Sequence, residues 1–282
     1  MLFNSIVWSP SEGLDLGFFT LHYYSLMFLI AFGLGWYIMK NIYDKEGIPI
    51  EKLDSLFIHT VLATLIGARL GHVIFYDWDY FQHNLLEIFL PVRFKPEFEF
   101  TGFRGLASHG AAIGIIVAMY LYRRNVLDKP ILWILDRVVI PVASGAIFIR
   151  IGNFLNSEII GKPTNSNYGV IFKNLGENFP RHPAQLYESF CYLLIFLLLW
   201  FTYWKTDKKE KIGYIFGLFL VLLWTVRFFI EFLKEPQVGE RALWIINTGQ
   251  WLSIPFIIAG FYFMFRPKNK AQIKTNSIHN KK

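Results

Sequence analysis

Arg150, Asn153, Asn156, Ser157 and Glu158 close a long apolar run with a cation, two amides, a hydroxyl and a carboxylate. Lipid satisfies none of these groups, so each needs a partner. On a helix Arg150, Asn153 and, approximately, Ser157 share a face at i, i+3 and i+7. A guanidinium flanked by hydrogen-bonding groups holds an anion. The same arginine would serve equally to pair with a carboxylate on a neighbouring helix, and spacing alone leaves the two uses open.

Depth argues for the first use. At a helical rise of about 1.5 Å per residue, Arg69, Arg150 and Arg227 each lie on the order of 10 Å from the same end of their apolar runs. His109, Tyr24, Glu188 and Glu231 fall in that half too, with Asn153 and His72 nearer the surface. Scattered ion pairs need no common depth, whereas a shared cavity does. Guanidiniums within reach of lipid suit a phosphate-bearing substrate, because each offers a charge-assisted fork and stays protonated when buried. His109 is the group there whose ordinary pKa suits proton transfer near neutrality. Arg227 and Glu231, at i and i+4, read as an ion pair on one helix face that also orients the guanidinium. Asp54, His59, Asp136 and Arg137 lie nearer the opposite end and read as structural.

The elements that must position these groups are membrane helices. Of the 282 residues 54% are apolar and 18% aromatic, and mean hydropathy is +0.37, values that point to a helical membrane protein. About seven runs are long enough to span a bilayer: Leu16 to Lys40, Leu53 to Tyr76, Leu106 to Tyr122, Ile131 to Phe154, Ala184 to Trp204, Ile212 to Leu233 and Ile246 to Phe265. The expected fold is an all-α integral membrane bundle forming one catalytic domain over residues 1–267. Loops 77–105 and 158–183 are large enough for a small extracytoplasmic cap, and the basic tail 268–282 reads as disordered. No Lys or Arg precedes Lys40, so the first run reads as a retained span rather than a cleaved signal.

Basic residues gather after the first, third and fifth runs and in the tail, which places the N-terminus outside and the C-terminus inside. That distribution also accounts for the net charge of +7 without nucleic acid. Small residues four apart, Ala63/Gly67/Gly71, Gly110/Gly114 and Gly213/Gly217, read as close helix packing. The single cysteine, Cys191, excludes an intrachain disulfide and a cysteine metal cluster. No G-x-S-x-G, H-E-x-x-H or P-loop is present, and neither a metal nor a cofactor is implied.

The run from Arg150 through Gly161 resembles the signature of bacterial phosphatidylglycerol:prolipoprotein diacylglyceryl transferases. In chain order the resemblance extends over Tyr23 to Met27, Gly67 to Gly71, Ser108 to Gly110, Arg181 to Glu188, Arg227 to Phe232 and Gly249 to Pro255. Ile149 stands where that signature usually has glycine, and Gln237 where an acidic residue is common. The resemblance implies transfer of diacylglyceryl from phosphatidylglycerol to the lipobox cysteine of a preprolipoprotein signal peptide at the outer face of the bacterial inner membrane, with release of glycerol phosphate. Under that reading Arg150 and Arg227 neutralise the phosphate, Glu231 orients Arg227, and His109 promotes thiol deprotonation. Tyr24, Asn153, Asn156, Glu158 and Gln185 bind the head group, while Arg69 adds an anion contact or braces the pocket. A lipid transporter or scramblase would carry charged groups along the whole path, and a lipid-binding scaffold would not need His109. Both are the weaker alternatives.

Overall fold

The computed structural model describes residues 6–17, 20–90, 92–94, 98–100, 105–165, 168–235 and 246–267. Lys95, Arg104, Gln237, Arg241 and the tail 268–282 lie outside the described residues. Each of the seven apolar runs contains one long helix, the first starting at Tyr23 rather than Leu16 because Thr20–His22 is a strand, and a single-turn helix lies in the first large loop. In chain order the helices are α1 (Tyr23–Glu46), α2 (Ile50–Phe75), α3 (Trp78–Phe81), α4 (Ser108–Asn125), α5 (Ile131–Leu155), α6 (Ala184–Lys205), α7 (Tyr214–Ile230) and α8 (Thr248–Phe265). Six of them are long and apolar enough to cross a membrane. The chain is therefore a multi-pass, all-α membrane protein. The helix outside that set is α4, where His109 near one end and Arg123, Arg124 and Asn125 at the other lower the mean hydropathy of 18 residues.

The described residues divide into two compact units, one formed by Lys40–Ile134, the other by residues up to Met39 together with those from Leu135. In the first, α2 and α4 meet along the small-residue seam. A Cβ on Gly67 would lie 2.5 Å from the Gly110 carbonyl oxygen, and one on Gly71 would lie 2.6 Å from the Gly110 Cα. Side chains are excluded at these points, so the backbones touch as the four-residue spacing predicts. At the far end of the seam the buried hydroxyls of Tyr43 and Tyr122 lie 3.1 Å apart, and Tyr122 also donates to the Lys52 carbonyl at 2.9 Å.

The loop after α2 contains α3, one 3-10 turn (Leu85–Ile88) and a hairpin of β4 (Val92–Arg93) and β5 (Glu99–Phe100). Its anchor is Glu87, whose carboxylate accepts from the Tyr80 hydroxyl at 2.5 Å and the Phe94 amide at 2.9 Å. Burial alone would push this carboxyl up. The Phe94 amide, the Tyr80 hydroxyl and the nearby Arg93 and Arg69 more than offset it and hold the group below the ordinary carboxylate value. A carboxyl depressed in the folded state stabilises the fold above its unfolded pKa, about 4.3, and the contribution is lost as pH falls through the folded value. Hydrogen exchange at the Phe94 amide is therefore expected to accelerate as pH falls below about 4, relative to an exposed reference amide. Glu87→Gln should remove that dependence; an unchanged profile in the variant would contradict the anchor.

In the second unit β2 (Gly13–Asp15) and β3 (Thr20–His22) form a hairpin, and β1 (Ile6–Trp8) pairs in parallel with β6 (Val170–Phe172). Trp8 packs with its ring tilted 4.5 Å from that of Phe154 and donates through Nε1 to the Phe154 carbonyl at 3.2 Å, over a small core of Phe154, Val170 and Phe172. This ties the end of α5 to the loop at 158–183. At the other end of the helix Asp136, buried, accepts from the amides of Gly213 at 2.6 Å and Phe216 at 2.8 Å and so caps α7. A carboxylate is favourable there because those amides have no partner within the helix. Gly217 packs against the Gly260 backbone where α7 meets α8, and Asn247 with Gln250 forms a capping box at the start of α8.

Candidate active site

The C-terminal end of α5 lies at the centre of a buried polar cluster. Helix α5 ends at Leu155, and the Ser157 amide bonds the Phe154 carbonyl while the Glu158 amide bonds the Asn153 carbonyl at 2.8 Å. With Ser157 at φ 55, this is a Schellman termination. Ser157 therefore leaves the helix face it was expected to share with Arg150 and Asn153. The left-handed turn carries the chain back, so that Glu158 faces the helix it has just left. Its carboxylate accepts from Asn153 Nδ2 and Asn156 Nδ2, each at 3.2 Å, and Asn153 Oδ1 accepts from Arg150 Nη1 at 3.0 Å. Gly152 has a steric reason: a Cβ there would lie 2.8 Å from the Tyr24 ring, which packs against this turn of the helix.

Ile159 also has positive φ, 54, a conformation that costs a β-branched residue about 1–3 kcal/mol. Bonds on both sides hold the strained segment. The Gly161 amide donates to the His182 carbonyl at 3.0 Å, Lys162 to Leu233 at 2.8 Å and Glu235 to Ile160 at 3.1 Å. Arg181 adds a clamp through Gly161 O at 3.2 Å, Glu235 at 2.8 Å and both oxygens of Glu177. Gln185, at the start of α6 and fully buried, donates to the Glu158 carbonyl at 2.5 Å, while its Oε1 is buried without a hydrogen-bond partner.

Glu188, one turn further along α6, is 0% exposed. Arg150 Nε lies 2.8 Å from its Oε2, and Lys234 Nζ donates to its Oε1 at 2.8 Å. The Tyr192 hydroxyl is 3.4 Å from the same Oε1. Arg150 is thus paired with a carboxylate on a neighbouring helix and also directed by Asn153. Removing such charges from water is costly unless they are paired. Here two cations meet on one carboxylate, and Lys234 has a second, Glu231, 3.6 Å away, so the cluster sets a guanidinium and an ammonium side by side among paired carboxylates.

Arg227 and Glu231 do not form the expected ion pair. Helix α7 tightens after Ile230 into a 3-10 turn (Glu231–Leu233), which brings i and i+3 into line. Glu231 is consequently 3.6 Å from Lys234, and its carboxylate lies against Gly249 at the start of α8. Arg227 stacks 5.6 Å from Trp224, and its Nε is buried without a hydrogen-bond partner.

The other two expected site residues belong to the Lys40–Ile134 unit. His109 is exposed in the first turn of α4. Arg69 donates to the carbonyls of Ile88 at 2.8 Å and Glu87 at 2.7 Å and stacks 4.7 Å from Phe81. With His72, Asp77, Glu87, Arg93 and Glu99 it lines a cavity of about 160 Å³. These bonds are those of a brace. Lys234 was missed as a site residue because it reads as a loop cation just past an apolar run. Its i+3 spacing from Glu231 was the available signal.

The family of prolipoprotein diacylglyceryl transferases matches this chain over residues 12–266. A Bacteroides fragilis protein named phosphatidylglycerol–prolipoprotein diacylglyceryl transferase is 41% identical over 280 residues, which cover 97% of this chain and 99% of that one. Proteins of the same name from Tolumonas auensis and Chloroherpeton thalassium are 41% identical over 260 residues and 38% identical over 273. The first alignment covers 92% of this chain and 96% of the relative, the second 96% and 98%.

Proposed function

The chain belongs to the prolipoprotein diacylglyceryl transferase family, and we propose that it transfers the diacylglyceryl group of phosphatidylglycerol to the lipobox cysteine of a prolipoprotein. The products are a thioether-linked lipoprotein precursor and glycerol phosphate. The observation that carries the reading at the level of chemistry is the chain of bonds from Glu188 through Arg150 and Asn153 to Glu158. It fixes the orientation of a buried guanidinium, the group that a phosphate leaving group needs. The distribution of Lys and Arg supports a bacterial inner-membrane setting with the N-terminus outside and the site opening to the outer leaflet.

The reaction displaces phosphate from a glycerol carbon by sulfur. It requires a thiolate, in-line approach, and neutralisation of the charge growing on the leaving oxygen. Arg150 takes the phosphate, with Arg227 as a second guanidinium that keeps donor capacity in reserve. Tyr24, Asn153, Asn156, Glu158 and Gln185 form the wall for the glycerol head group, and Glu231 orients its neighbours through Lys234 rather than through Arg227. For the thiol proton we assign His109, and for Arg69 a bracing role. His109→Gln is expected to lower transfer by about a hundredfold near neutrality, in the range of general-base effects. Full activity in that variant across the pH range would contradict the assignment.

The reading is tested with purified protein in phosphatidylglycerol vesicles and a peptide bearing a lipobox cysteine. The peptide should gain the mass of one diacylglyceryl group on sulfur, and a Cys→Ser peptide should gain none. Absence of the adduct from folded protein given both substrates would sink the proposal.

A further inference from the structure

Lys234 ends the 3-10 turn after α7, at what the sequence presents as a surface loop, yet its side chain is only 5% exposed. The backbone accounts for this. Lys234 bridges Gly161 in antiparallel fashion, and the bonds from Lys162 to Leu233 and from Glu235 to Ile160 flank it on either side. The ladder aims the side chain inward, where Nζ lies 2.8 Å from Glu188 Oε1 while Arg150 Nε lies 2.8 Å from Oε2. Glu231 lies 3.6 Å from the same Nζ, so the ammonium stands between two carboxylates and is not committed to one. Two cations from different elements meet on the two oxygens of Glu188, which sets an ammonium beside the guanidinium assigned above to the phosphate.

We propose that Lys234 is a further catalytic residue, contacting the phosphate and taking up the second negative charge that forms on it as the glycerol C–O bond breaks. The proposal rests on the transferase reading. Phosphatidylglycerol is a phosphodiester with one negative charge. Sulfur forms the S–C bond, the C–O electron pair moves onto the bridging oxygen, and the leaving phosphomonoester carries two. The thiol proton goes to the base, and no other reactant is needed. Arg150, held at fixed angles by Glu188 and Asn153, suits the single charge of the diester. The lysine ammonium, a compact point charge on a flexible stem, can turn from Glu188 to the phosphate as the second charge develops. Binding that strengthens only at that stage raises kcat rather than lowering KM.

The test uses the full chain in phosphatidylglycerol vesicles and compares wild type, Lys234→Met and Lys234→Arg. Two quantities are read: steady-state transfer, and inhibition by free glycerol phosphate at about pH 8, where it is a dianion. Lys234→Met should lower kcat by about a hundredfold with KM for phosphatidylglycerol within about threefold, and should weaken inhibition by glycerol phosphate by at least about tenfold. Lys234→Arg, which keeps the charge, should retain activity within about tenfold. If Lys234→Met does not fold, judged by its thermal unfolding, Lys234→Gln carries the same comparison. Unchanged kcat, or glycerol phosphate inhibition as strong as in wild type, would overturn the role of Lys234 while leaving the transferase reading intact. Failure of wild type to form the thioether would instead strike the reading itself.

Discussion

Arg150→Ala should lower the transfer rate by at least about a hundredfold, corresponding to about 3 kcal/mol of lost transition-state stabilisation. Geometry contributes to this loss as well as charge. Arg150 reaches Glu188 through Nε and Asn153 through Nη1 at the same time, and those two contacts fix the plane in which its remaining donor atoms would meet a phosphate. Arg150→Lys is expected to fail nearly as completely, because an ammonium cannot span both contacts and still present a fork. Neither variant strands a buried charge, since Glu188 keeps Lys234 on its other oxygen at 2.8 Å. The proteins should therefore insert and purify, and activity measured in vesicles reports chemistry rather than folding. Near wild-type transfer by Arg150→Ala would remove the phosphate assignment.

Gly110→Val is expected to cost the largest amount of stability, about 3 kcal/mol or more. Its Cβ would lie 2.6 Å from the Gly71 Cα and would also run into the Gly67 carbonyl oxygen. Those atoms are backbone on a rigid helix and cannot give way as a flexible side chain would. Loss of the seam separates α2 from α4. Gly33→Ala serves as the control: a Cβ there meets nothing within 4 Å, and alanine is the better helix former by up to about 1 kcal/mol. Unfolding in detergent should show a large fall for Gly110→Val and none for Gly33→Ala. Equal behaviour of the two variants would contradict the close backbone packing.

The helices were legible because length and hydropathy set them one at a time, with no need to know what each packs against. The seam of α2 and α4 was legible for a related reason, since small residues four apart have few other uses. Arg150, Asn153 and Glu158 could be picked out because the polar groups that join them lie within nine residues. What pairs across the fold was less visible. Nothing local joins Glu188 to Lys234, 46 residues away; the backbone ladder at Gly161 determines that contact. The expected pair of Arg227 with Glu231 is not made although the Glu231 amide still bonds the Arg227 carbonyl, because the 3-10 turn that follows brings Lys234 to that carboxylate. Ser157 misled in the same way, because a left-handed turn without glycine leaves no mark that distinguishes it from another helical turn. The short strands were illegible because two or three residues show no alternation.

The proposed reaction breaks a glycerol carbon–oxygen bond and retains the phosphate on the departing head group. Its most direct test is a mass balance in one reaction, with phosphatidylglycerol and the lipobox peptide as substrates. The amounts of thioether peptide and free glycerol phosphate should rise together in equal numbers, and Arg150→Ala should suppress both. Release of glycerol with phosphate left on the lipid, or redistribution of phosphatidylglycerol between leaflets with no bond formed, would contradict the account.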